Sequence, residues 1–117
     1  MNKPNYTEME IADNPYQDRD YEIYISIPEF NCVCPKTGLP DFANIKIRYI
    51  PDKKIVELKS LKLYMVNYRN LGIFHEAVTN RIMDDLVLAL NPRSIHIEGD
   101  FNPRGGIHTI ITSSWKK

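Results

Sequence analysis

Two cysteines and a lone acid stand close together early in the chain, in Phe30-Asn31-Cys32-Val33-Cys34-Pro35-Lys36-Thr37-Gly38 followed by Pro40-Asp41-Phe42. A cysteine does covalent chemistry as a thiolate. A carboxyl group a few residues away, on a loop bent by proline and glycine, can fold back and protonate the anion that such an attack creates. Cys34 is therefore a candidate nucleophile and Asp41 a candidate proton donor. A Cys-x-Cys pair near a turn also serves as buried thiols or as part of a metal site, and the segment alone leaves those readings open. So short a spacing strains a disulfide, which predicts two free thiols, with Cys32 buried.

Three other places carry groups that could converge on a ligand. In Val56-Glu57-Leu58-Lys59-Ser60-Leu61-Lys62-Leu63-Tyr64, Lys59 and Lys62 are three apart. That puts both ammonium groups on one side of a helix start, where a phosphate is also favoured by the helix N-terminus; a solvated lysine face has the same pattern. Phe74-His75-Glu76 opens another helical stretch. Glu76 could accept two parallel N–H bonds from a guanine-like edge while His75 adds a second polar contact, or Glu76 could be an ordinary first-turn acid. Pro103-Arg104-Gly105-Gly106 is either a turn or a phosphate-contacting loop whose glycines let a ligand approach the backbone. No G-x-G-x-x-G fingerprint is present, so Rossmann-type dinucleotide binding is not predicted.

Length and charge narrow the field. A chain of 117 residues makes one domain, residues 1–117, with one core and no room for separate cofactor and substrate domains. A site for two ligands would have to borrow walls from a neighbouring copy. Fifteen basic and fifteen acidic residues cancel, which argues against nucleic-acid or anionic-membrane partners. The polar start and the lack of any run near the ~20 apolar residues of a membrane span predict a cytoplasmic protein. Cys32, Cys34, His75, His96 and His108 lack metal-ligand spacing, so no metal is predicted.

The elements that must hold these groups follow from periodicity. Residues 1–20, with Pro4 and Asn14-Pro15, read as an irregular arm. Tyr21 to Ile27 and Ile45 to Tyr49 alternate apolar and polar residues as two strands, joined by a long loop from Pro28 to Phe42 that carries Cys34 and Asp41. Leu61, Tyr64, Met65 and Tyr68 then recur at helical spacing, stopping near Asn70 to Gly72. A second helix follows through Val78, Ile82, Leu86, Ala89 and Leu90, with Asp84 and Asp85 outside and Asn91-Pro92 ending it. Ile95, Ile97 and the stretch Ile107 to Thr112 read as a second strand pair around a Gly99 to Gly106 turn region. The order ββααββ predicts an α+β domain, a four-stranded antiparallel sheet with two helices on one face. Tyr24, Ile50, His108 and Ile110 fall on the opposite face, and that bulk predicts assembly into rings that cover it.

Taken together, the Cys34 to Gly38 and Pro40 to Phe42 segments, the run Glu57 to Tyr64, Phe74-His75-Glu76 and Pro103 to Gly106 make the chain resemble the NADPH-dependent 7-cyano-7-deazaguanine reductases of queuosine biosynthesis, in their short single-domain form. The similarity runs from about Arg19 to Ile107, and Glu-Leu-Lys-Ser-Leu-Lys-Leu-Tyr is its most discriminating stretch. The resemblance implies the tunnelling fold, in pentameric rings stacked as a homo-oligomeric decamer with sites between subunits. It implies Cys34 as the nucleophile that forms a thioimide with the substrate nitrile, and Asp41 as the proton donor. Val56, Glu57, Leu58, His75 and Glu76 match positions that hold the 7-deazapurine. Lys59, Lys62, Arg104 and Gly105 match positions at the NADPH site. Rival readings are an amidinotransferase-like relative acting on the nitrile base in transfer RNA, a zinc cyclohydrolase of the same fold, and a non-catalytic purine-binding ring protein.

Overall fold

Alternation of apolar and polar residues persists beyond the segments where it is plainest, and the main hairpin is correspondingly long. The computed structural model describes residues 3–117; Met1 and Asn2, which open the predicted arm, lie outside the described residues. A 3-10 turn at Tyr6–Glu8 leads to β1 (Ile11–Asp13), β2 (Ile23–Val33), β3 (Pro40–Ile50), β4 (Lys54–Val56), α1 (Leu58–Val66), α2 (His75–Leu90), β5 (Ser94–Arg104) and β6 (Ile107–Lys116). The principal sheet is antiparallel with strand order β2-β3-β5-β6, and β1 and β4 form a separate two-stranded ribbon. This is the predicted ββααββ unit with a ribbon added beside α1.

The loop expected over Pro28 to Phe42 shrinks to residues 34–39. Pro28 lacks an N–H, yet it sits on an edge strand, at the register shift between Ile27 and Phe30, where a bulge accommodates it. Beyond the bulge, pairing resumes with Phe30 opposite Ala43 and Cys32 opposite Asp41. Phe30 and Cys32 are buried, continuing the inward positions. Cys34 and Asp41 are thereby set at the tip of one hairpin.

Helix α1 stops at Val66, a turn earlier than its periodicity predicts. The amides of Asn67, Tyr68 and Arg69 donate to carbonyls three residues back, so the chain tightens into turns while Tyr68 stays fully buried. Helix α2 packs on β5 and β6, and α1 on β2. Ile45, Ile47, Ile97, Phe101, Val78, Ile82 and Leu86 form the interior of this layer pair. The close approach of α2 to β5 requires Gly99, because a Cβ there would lie 2.4 Å from Thr79 Oγ1.

Three expectations need correction. The arm is not irregular throughout: Met9 is buried, Ile11 pairs with Val56, and the Asn14 side chain donates to the Asp52 carbonyl at 2.7 Å. Elements of three residues are too short to show a period, which hid them. Asp85 is not outside, for it accepts a hydrogen bond from Tyr64, which in turn lies 2.6 Å from the Tyr68 hydroxyl. Burial pushes the Asp85 carboxyl above the ordinary carboxylate range. The sheet face away from the helices does carry Tyr24, Ile50, His108 and Ile110, but it is largely polar, crossed by the ion pairs Arg48–Glu22, Lys46–Glu98 and His108–Asp100, with Tyr24, Phe42 and Ile110 its exposed apolar members. Apolar bulk on that face is therefore a weak reason for assembly. The unpaired edges of β2 and β6 are a better one.

Candidate active site

The turn between β2 and β3 is closed by its own backbone, with the Cys34 amide donating to the Leu39 carbonyl and the Gly38 amide to the Cys34 carbonyl, each at 2.9 Å. Gly38 has φ of 73°, which lets the chain reverse there without strain. This geometry turns the Lys36 and Thr37 amides toward the Cys34 sulfur, and the Thr37 hydroxyl donates to it as well. These three donors hold the Cys34 thiol below its ordinary range, against opposing effects of burial and of the Asp41 charge. Cys32, two residues earlier, is fully buried, and burial followed by the charges at Asp41 and Cys34 pushes its thiol up to about 12. Both thiols are free. Of the two, only Cys34 is poised to react.

Asp41 is the buried acid of this region, its side chain 7% exposed. Arg104 donates to its Oδ1 at 2.7 Å and to the Pro40 carbonyl at 2.8 Å. His75 Nε2 lies 3.2 Å from its Oδ2, and the imidazole stacks on Phe101 with ring centroids 3.8 Å apart. Each partner is placed by a local feature of the sequence. His75 is the first residue of α2, and Arg104 ends β5 immediately before Gly105 and Gly106, whose φ values of 59° and 79° make the tight β5–β6 turn. A cavity of about 330 Å3 opens among Cys34, Thr37, Asp41, Phe74, His75, Glu76 and Arg104.

Five of the predicted site residues thus come together: Cys34, Asp41, His75, Glu76 and Arg104. Arg104 lies on Asp41, apart from the lysines with which sequence grouped it, and Gly105 serves its turn. Glu57 caps α1, its carboxylate accepting from the Ser60 amide at 3.0 Å, while Val56 is buried in β4. Leu58 and Lys62 line a different groove, about 490 Å3 between α1 and the edge strand β2. The ammonium groups of Lys59 and Lys62 make no ion pair among the described residues. Sequence reasoning missed Pro35, Thr37 and Phe74 as parts of the pocket, and Phe101 as the ring that backs His75. A threonine inside a cysteine-bearing turn was a readable signal, since short hydroxyl side chains bond their own turns, whereas Phe101 is brought under His75 only through strand pairing.

Topology and pocket together define the class: a tunnelling-fold protein with a cysteine and a carboxyl group facing one cavity. The crystal structure of the archaeosine synthase QueF-Like in the apo form shares this fold, with a TM-score of 0.74 over 80% of this chain and 91% of that one, at 18% identity. Residues 40–117 match the family model of QueF-like proteins. The chain is 57% identical over 110 residues to a protein from Nitrosomonas eutropha, covering 94% of this chain and 79% of that protein. It is 58% identical to one from Thermomicrobium roseum over 94% of this chain and 86% of the relative. A protein from Nitrosococcus oceani matches at 52% over 98% and 88%. All three relatives are named NADPH-dependent 7-cyano-7-deazaguanine reductase. The chain belongs to the QueF-like family, as the resemblance of its motifs implied.

Proposed function

We propose that this protein reduces the nitrile of 7-cyano-7-deazaguanine to 7-aminomethyl-7-deazaguanine with NADPH, in the cytoplasm and in service of queuosine formation, through a covalent bond to Cys34. The observation that carries the reading is the single cavity shared by an activated thiol, Cys34, and a buried acid, Asp41, in a chain more than half identical to reductases of that name.

A nitrile is a poor hydride acceptor, and covalent attachment turns it into an activated C=N. The Cys34 sulfur adds to the nitrile carbon, forming a C–S bond as one C–N π bond opens to nitrogen. Asp41 delivers a proton to that nitrogen wherever negative charge develops on it, in the attack and above all as hydride is added, the proton coming from the Cys34 thiol or from solvent by way of His75, whose side chain is 21% exposed. Bound NADPH supplies hydride, two equivalents for each nitrile taken to the amine. Cys34 leaves when the C–S bond breaks after the first reduction, and the imine so formed has to be kept from water until the second. Glu76, at the rim of the same cavity, is suited to accept from the ring N–H and exocyclic amine of the base.

Lys59 and Lys62 fit the phosphates of the cofactor, being cations near the N-terminus of α1 without an ion-pair partner among the described residues. They and the cap Glu57 line no part of the Cys34 cavity. We therefore place the complete site between neighbouring copies of this one-domain chain, in the pentameric rings and decamer that the resemblance implies. The deciding experiment follows NADPH oxidation with and without 7-cyano-7-deazaguanine and quantifies the amine. Two NADPH consumed per amine is the expected result; no oxidation by folded, reduced protein overturns the reading.

A further inference from the structure

Arg104 is unusual among the cations of this chain in touching the acid of the reactive cavity. Its guanidinium bridges the Pro40 carbonyl and Asp41 Oδ1, at 2.8 and 2.7 Å, from a hairpin turn 63 residues away in sequence. Asp41 is 7% exposed and Arg104 42%, so a nearly buried carboxyl group is held by a cation reaching in from the surface. We propose that Arg104 is a positioning residue for the Cys34–Asp41 pair, fixing the Asp41 carboxyl group and balancing its charge so that negative charge can build on the Cys34 sulfur beside it. This rests on the function proposed above for the attack on the nitrile, but the effect on Cys34 itself does not.

The argument is one of neighbouring charges. Asp41 and Cys34 face the same cavity, and a carboxylate there opposes a thiolate. The other titratable groups facing the pair are Cys32 on β2, Lys36 in the turn, and His75 and Glu76 in the first turn of α2. Cys32 stays a thiol, and Glu76 adds acidity rather than relieving it. His75 takes up Oδ2 of Asp41 and leaves Oδ1 to Arg104. Arg104 is the permanent cation in contact with Asp41 among the described residues. Removing it leaves the Asp41 carboxyl group held by the His75 imidazole alone and free to rotate about that contact.

The test separates this role from a contact to cofactor. Alkylation of Cys34 by iodoacetamide, followed against pH, reports the thiolate without substrate or NADPH. Thioimide formation from 7-cyano-7-deazaguanine without NADPH, followed by intact mass, reports the attack. Arg104→Gln is expected to move the alkylation profile to higher pH and to slow adduct formation by at least about tenfold, the scale on which small misplacements act. Arg104→Lys, which keeps the charge and loses the fixed planar guanidinium whose Nη1 donates to both oxygens, should restore the alkylation profile more fully than the adduct rate. An Arg104→Gln protein with an unchanged alkylation profile and a wild-type adduct rate, altered only in KM for NADPH, overturns the proposal. Should the wild-type protein form no adduct at all, the proposed function fails, and the alkylation profile still decides the part of Arg104.

Discussion

The tip of the β2–β3 hairpin and the start of α1 are both surface features built on a short turn, yet they differ in how far each is finished. At the hairpin tip the two reactive groups have partners inside the subunit: three donors for the Cys34 sulfur, Arg104 and His75 for Asp41. At the start of α1 the carboxylate of Glu57 is used up in capping, Lys59 and Lys62 have no counter-ion among the described residues, and Leu58 is 62% exposed. A preorganised set of donors needs no rearrangement when charge develops. Unpaired cations beside exposed apolar surface are groups still waiting for something. On the function proposed above, the covalent half of the chemistry would be held within one chain and the cofactor half left open to a neighbour.

The sharpest way to break that contrast is at the sulfur. Cys34→Ala should abolish both adduct and turnover, as judged by intact mass and NADPH oxidation. Cys32→Ala should keep the adduct and cost stability, because it removes a fully buried side chain and leaves a small cavity. Normal turnover by Cys34→Ala would end the covalent proposal. Asp41→Asn comes next. The adduct should still form, since the acid that opposes the Cys34 thiolate is gone, but reduction should slow by roughly 10²–10⁴, the usual contribution of a positioned proton donor. Equal slowing of adduct and reduction would instead place Asp41 in the attack alone. At the open end the effects should be smaller and of another kind. Lys62→Met should raise KM for NADPH by about tenfold, equivalent to ~1.4 kcal/mol of lost phosphate contact, with little change in the adduct rate. A raised adduct threshold with unchanged KM would move Lys62 to the substrate.

The two regions were also unequally legible in the sequence. Cys34 and Asp41 could be brought together because proline and glycine mark the turn and because both lie within a few residues of it. The hairpin around them was read too short, since Pro28 in an alternating run looks like the end of a strand, and only its place on a sheet edge makes it tolerable. Helix existence was clear from period, but the departure of α1 into tighter turns after Val66 depends on packing of Tyr68. The Arg104–Asp41 contact spans 63 residues and follows from strand order β3-β5-β6, which local pattern does not encode. Asp85 looked like one of two solvent acids, and its bond from Tyr64 joins α1 to α2 across 21 residues. The arm defeated periodicity altogether: its strand is three residues long, and what binds it is a scatter of single contacts such as Glu10 N–H to Ser60 Oγ at 2.8 Å.

Thr37 carries the finest of the predicted effects, and it probes why the hairpin tip is finished. Its Oγ1 accepts from the Leu39 amide at 3.2 Å while its hydroxyl hydrogen is directed to the Cys34 sulfur, so one side chain both shapes the turn and supports the thiolate. A hydrogen bond to the charged form favours that form, which lowers the pH at which it appears. Thr37→Val keeps the shape of the side chain and removes the hydroxyl. The sign is then fixed: the Cys34 thiol must titrate higher, the rate of iodoacetamide alkylation at neutral pH must fall severalfold, and the two proteins must converge at high pH, where both sulfurs are ionised. Thr37→Ser should sit near wild type, because the hydroxyl is retained. If Thr37→Val instead lowered the rate equally at every pH, the threonine would be acting on access to the sulfur, and the two backbone amides of the turn would suffice to hold the charge.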